Sequence, residues 1–144
     1  MSRIEHTISC IMENFNCAQS IFSTYSEQFG LDRSTALKIS TGFGGGMGRM
    51  GNTCGAVSGA FMVLGLKYGM GAKEDIDAKE KTYQYIKEFS SHFQEKFDSI
   101  ICREILGCDI STPEGREYFS QNELFEKKCV QCVKAAAEIL EEML

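Results

Sequence analysis

Tryptophan is absent from this chain and proline occurs once, at Pro113, so long stretches are free to run as uninterrupted helix. There are two histidines, His6 and His92. Both read as solvent-facing and neither sits beside a cysteine pair, so finger-type zinc spacings are excluded. No Lys/Arg cluster exists and the net charge is −5, which argues against a surface that tracks nucleic-acid phosphates. Long hydrophobic runs are missing too. The most apolar stretch, Cys54 to Leu66, is too short to span a bilayer and carries three glycines. The opening segment, MSRIEHTISCIMEN, has no continuous apolar run leading to a small-residue cleavage site. No signal peptide is expected, and the expected location is the reducing cytoplasm.

What is present is cysteine, seven of them, at 10, 17, 54, 102, 108, 129 and 132. A chain of 144 residues buries enough surface to need no covalent staples. An odd, high cysteine count in a cytoplasmic chain points instead to thiol redox chemistry or metal ligation.

Apolar residues recur at spacings of three and four from Ile4 to Phe29, the pattern of an amphipathic helix, with Gly30 as a natural stop. Asp32 can cap a shorter helix from Arg33 to about Ser40. Cys54 to Lys67, capped by Asn52 or Thr53, is apolar nearly all round, as the buried centre of a bundle is. A long helix follows, with an inner stripe of Ile76, Tyr83, Ile86, Phe89, Phe93 and Phe97. Ser99 to Leu106 forms another, stopped by Gly107. Thr112-Pro113 reads as a cap followed by proline at the first helical position. A last helix runs from about Asn122 to Met143. Period-two alternation is nearly absent, so the expectation is an all-α single domain over residues 1–144. It is a bundle of about five to seven helices with a Gly-rich loop before a buried central helix.

Six glycines fall between Gly42 and Gly51. Gly46-Met-Gly48-Arg-Met-Gly51 spells a dinucleotide-type G-x-G-x-x-G, and Gly46 to Thr53 a P-loop frame with Asn52 in the lysine position. Neither has its required context, since no strand precedes and no lysine reaches phosphate. The glycines more simply let backbone approach a cysteine cluster, and Arg49 suits a small anion. Cys54, at the start of the central helix, has the best local setting for a thiolate. Gly44, Gly45, Gly46, Gly48, Arg49 and Gly55 are therefore candidate cofactor-binding residues, because concave backbone nests hold anions and iron–sulfur sulfides. Cys129-Val-Gln-Cys132 lies inside a helix, unlike a thioredoxin motif. Of the two, Cys129 is preferred because it is closer to the loops.

Asn16-Cys17-Ala18, Cys54-Gly-Ala-Val-Ser-Gly59, Cys102-Arg-Glu-Ile-Leu-Gly-Cys-Asp109 and Cys129, taken in order, resemble the C_GCAxxG_C_C proteins, described as redox-active. The resemblance covers nearly the whole chain, including Ser111 to Gly115. It implies that the family's four defining cysteines are Cys17, Cys54, Cys102 and Cys129.

Three readings follow. In a redox-active thiol protein or electron carrier, Cys54 is the activated thiolate and Cys17, Cys102 or Cys129 the resolving thiol. In a four-cysteine metal protein, Cys17, Cys54, Cys102 and Cys129 hold an iron–sulfur cluster or zinc, with Cys108 and Cys132 as alternates. In a helical interaction domain the cysteines are small core residues. The expected partners are an unidentified redox partner, no nucleic acid and no membrane. The Met- and Phe-rich composition leaves room for a homodimer.

Overall fold

The computed structural model describes all residues from Met1 to Leu144. Eight helices carry the chain: α1 (Arg3–Met12), α2 (Cys17–Ser26), α3 (Arg33–Ser40), α4 (Gly55–Tyr68), α5 (Ile76–Phe97), α6 (Cys102–Leu106), α7 (Pro113–Gln121) and α8 (Val130–Met143). The fold is all-α, with one isolated antiparallel bridge between Thr53 and Ile101. No helix is long and apolar enough to cross a membrane.

The helix ends follow local chemistry. Asp32 caps α3 by accepting the Thr35 amide at 3.0 Å, and Thr112 caps α7 by accepting the Gly115 amide at 2.9 Å. Gly107, left-handed at φ 71, closes α6. The periodic stretch from Ile4 to Phe29 differs from expectation, because it is two helices and not one. Asn14 sits at φ 74, and Asn16 starts α2 with a reciprocal cap. Its Oδ1 accepts the Gln19 amide at 2.9 Å while its own amide donates to Gln19 Oε1 at 3.0 Å. A strong cap signal inside a continuous apolar stripe breaks the helix without breaking the pattern of burial.

The centre of the bundle is α4. Its residues Gly55 to Ala60, with Val63 and Leu64, are buried on every side, as its uniform apolarity implies. Gly55 and Gly59 let α2 lie against it. A Cβ on Gly55 would stand 2.9 Å from the Ala18 nitrogen, and one on Gly59 3.0 Å from the Ala18 oxygen. Around α4 pack Ile11, Ile21 and Tyr25, Phe89 and Phe93 of α5, and Val133 and Leu140 of α8. Tyr25 is fully buried, and its hydroxyl donates to Glu141 Oε1 at 2.9 Å.

Helix α5 departs from its expected stripe. Ile76 and Tyr83 are 58% and 54% exposed. The face turned inward runs through Ala78, Thr82, Tyr85 and Ile86 to Phe89 and Phe93, and Tyr85 stacks on Tyr68 at 4.2 Å. Near the start of α5 the packing face therefore takes small and polar side chains, and counting apolar residues alone misplaces it.

Candidate functional site

Between α1, α2, α4, α6 and the segment leading into α8 lies a cavity of about 670 Å³. Cys17, Cys54, Cys102, Cys129 and Cys132 all line it, so five of the seven cysteines meet in one place. The cavity reaches solvent beside Met12, Asn14 and Arg49, which are exposed members of its wall.

Three of these cysteines stand at helix starts. Cys17 is the first residue of α2, directly after its Asn16 cap. Cys54 itself occupies the N-cap position of α4. Cys102 opens α6. Free amides and the positive dipole end gather at such positions. Cys54 and Cys102 are joined by an extended pairing that no local pattern announces. The Cys54 amide donates to the Ile100 carbonyl at 2.8 Å, and the Cys102 amide to the Asn52 carbonyl at 2.6 Å. Cys129 ends a π-helical turn, Phe125–Cys129, closed by the Val130 amide on the Phe125 carbonyl. The last periodic segment is thus a wide turn followed by α8, and wide turns of this kind recur at functional sites.

The Gly-rich segment is more ordered than a tight loop. Five successive residues, Gly45 to Arg49, have positive φ between 57 and 69. The Gly51 amide reaches back to the Gly45 carbonyl at 3.2 Å and the Asn52 amide to the Gly46 carbonyl at 2.8 Å. This is a left-handed turn, which costs an L-residue about 1–2 kcal/mol per position and glycine almost nothing. Glycine at 45, 46 and 48 leaves only Met47 and Arg49 to bear that cost. The turn presses on the cysteines, since a Cβ on Gly46 would stand 2.7 Å from Cys102 Cβ. No strand precedes it, so the nucleotide-loop resemblances have no counterpart in the fold. Gly44, Gly45, Gly46, Gly48, Arg49 and Gly55 all line the cavity.

The thiols act on one another in pairs. Cys54 and Cys132 line the same cavity, and the Cys132 thiol is the largest influence on Cys54. That influence pulls the Cys54 pKa below its ordinary value. Burial opposes it, and the amides of Ala56 and Val57 assist it without closing a conventional cap hydrogen bond. Cys132 is displaced the other way, first by Cys54, then by burial and by the nearby thiols. Cys17 is held well above the ordinary range, mainly by the Cys129 thiol and then by desolvation. Cys102 is pushed up to about 12 by burial and by its thiol neighbours Cys54 and Cys129.

Cys132, ranked behind Cys129 on sequence, lines the cavity as well and is the thiol that acts most on Cys54, while Cys129 acts most on Cys17. Cys108 does not line the cavity, and packs with Leu106 and Ile110 in a smaller cluster. Cys10 lies apart, 3.9 Å from Ser23 Oγ. No three His, Cys, Asp or Glu side chains are arranged to hold a metal ion.

Two residues of the site escape a reading of the sequence for cysteine and glycine. Asn16 lines the cavity, and its spacing to Gln19 is a legible capping signal. Arg116 lines it from α7, and nothing local marks it.

Residues 15–143 match the model of the family described as "Putative redox-active protein (C_GCAxxG_C_C)", and the chain belongs to that family. No curated protein and no solved structure matches it.

Proposed function

We propose that this C_GCAxxG_C_C protein performs thiol–disulfide exchange at Cys54 and Cys132. The reading is carried by one observation, two buried thiols lining one cavity, with Cys54 at the N-cap of the central helix; the opposite displacement of their proton affinities supports it. A nucleophile and its resolving partner need that relation.

In the reduced protein Cys54 is the thiolate and Cys132 holds its proton against it. Cys54 Sγ attacks one sulfur of a substrate disulfide. A mixed disulfide forms and the first substrate thiolate leaves. The negative charge on Cys54 is then gone, and with it the largest cause of the raised Cys132 pKa. Cys132 can now lose its proton and attack the Cys54 sulfur. The second substrate thiolate leaves, and the two departing thiolates take up the Cys132 proton and one from solvent, which received the Cys54 proton when its thiolate formed. One disulfide has been reduced to two thiols, and two protein thiols have been oxidised to one disulfide. Cys17, Cys102 and Cys129 line the same cavity, where they favour thiol over solvent contact around the reacting pair.

The alternative, a cluster or metal held by Cys17, Cys54, Cys102 and Cys129, rests on the convergence of those residues alone. Both are tested together. The protein is purified anaerobically, its metal content and visible spectrum are recorded, and it is then oxidised with one equivalent of a small disulfide and peptide-mapped. A Cys54–Cys132 disulfide in metal-free protein, lost in Cys54→Ser, is the expected result. Stoichiometric metal or visible charge-transfer bands, with Cys54 unreactive, would overturn it.

A further inference from the structure

The thiol cavity has charged lining of one sign. Arg49 and Arg116 are its charged residues, and no Asp, Glu or Lys lines it, in a chain whose net charge is −5. Neither arginine is spent on an ion pair, since the two in the structure are His92–Glu88 and Lys127–Glu123. Arg116 Nη1 donates to the Ile110 carbonyl at 3.0 Å, and its other N–H groups remain available. Arg49 stands at the exposed mouth on a backbone of φ 65, a conformation a long side chain takes at a cost. Gly45 leaves room for its stem, since a Cβ there would meet Arg49 Cγ at 2.9 Å. The starts of α2 and α4 add amide-rich, positive ends to the same wall through Asn16, Cys17, Cys54 and Gly55.

We propose that the cavity selects small disulfides bearing an anionic group, a carboxylate or sulfonate. Arg49 and Arg116 hold that group while the S–S bond reaches Cys54. This names the substrate class of the exchange proposed above and rests on it. The volume, about 670 Å³, is that of a small-molecule site. A neutral disulfide gains nothing from the two guanidinium groups, and a cationic one is repelled by them.

The test uses the full reduced chain and three disulfides of matched size: the disulfide of 3-mercaptopropionate, bis(2-hydroxyethyl) disulfide and cystamine. Exchange at Cys54 is followed by peptide mapping, and each rate is divided by the same reagent's rate with a free small thiol. The wild type is expected to favour the anion over the cation by about tenfold at low salt, and the ratio should shrink as salt is added. Arg49→Gln should lower the ratio several-fold and Arg49→Lys should restore it. Because Arg116 also holds a backbone carbonyl, Arg116→Gln is compared with Arg116→Lys at equal thermal stability. A neutral reagent that reacts at Cys54 with no charge preference in the wild type refutes this proposal and leaves thiol–disulfide exchange standing. So does a preference untouched by Arg49→Gln. Failure of all three reagents to react at Cys54 refutes the exchange itself.

Discussion

Gly46 is where the left-handed turn and the cysteines bear on each other most directly, and Gly46→Ala measures that coupling. Its φ is 65, so an alanine there carries about 1–2 kcal/mol of left-handed strain. Its Cβ would also stand 2.7 Å from both the Asn52 nitrogen and Cys102 Cβ, well inside contact distance. Neither neighbour is a flexible chain end. Asn52 is tied to Cys102 by the 2.6 Å bond from the Cys102 amide, so the two must move together. Overpacking of this kind costs about 1–3 kcal/mol. The expected loss is about 2–5 kcal/mol, a fall of about 8–20 °C in Tm for a domain of this size. Gly107→Ala is the control. Its φ is 71 and nothing lies within 4 Å of its added Cβ. It should lose only the strain, about 1–2 kcal/mol, or about 4–8 °C. The assay is thermal and urea unfolding of both variants, together with the alkylation rate of Cys54. Gly46→Ala should slow or scatter that alkylation, because the displaced segment carries the pairing that seats Cys54. Gly107→Ala should leave it unchanged. If Gly46→Ala falls within a few degrees of Gly107→Ala and alkylates normally, the turn does not brace the thiol cavity.

Other outcomes follow from the same geometry. Cys132→Ala removes the thiol that most lowers the Cys54 pKa, so the pH midpoint of Cys54 alkylation should rise toward the ordinary thiol value of 9.0. A midpoint unmoved by this change would place the cause elsewhere. Cys17, Cys102 and Cys132 have folded pKa values above their unfolded ones, so the stability they confer is complete below pH 9.0 and is lost as pH rises above it. Urea unfolding between pH 8 and 11 should show stability falling by up to about 1.4 kcal/mol per pH unit for each such group, and Cys102→Ala should flatten part of that slope. Asn16→Ala should cost about 1–2 kcal/mol, because it removes a reciprocal cap and the 2.9 Å bond to the Thr41 carbonyl. Equilibrium unfolding of Asn16→Ala and Asn16→Asp separates those two contributions. Tyr25→Phe should cost about 1–3 kcal/mol, read the same way, by leaving the partly buried Glu141 contact unmade.

Much of the fold is local information. The absence of alternation, the stops at Gly30 and Gly107, and the caps at Asp32 and Thr112 are decided within a few residues. Those elements stand where the spacing puts them. So does Cys54 at the head of the most apolar helix, because uniform apolarity forces burial and the glycine run before it forces a break. Ile76 and Tyr83 show the limit. Both fit the helical period and both face solvent, because the surface that α5 meets near its start, and not its own composition, selects the inward face.

The site divides in the same way. That thiols gather near Cys54 is legible in the count of cysteines and in the family pattern. Which thiols share the cavity is not. The meeting of Cys17, Cys54, Cys102, Cys129 and Cys132 depends on the extended contact of 52–54 with 100–102 and on the wide turn before α8. Arg116 reaches the cavity from a helix that shares no motif with the cysteines. Helix caps and periods are contacts over three or four residues, so the chain carries them wherever it goes. The charge and the partners of a buried thiol are set by groups tens of residues away, and only the packed bundle brings those groups within reach.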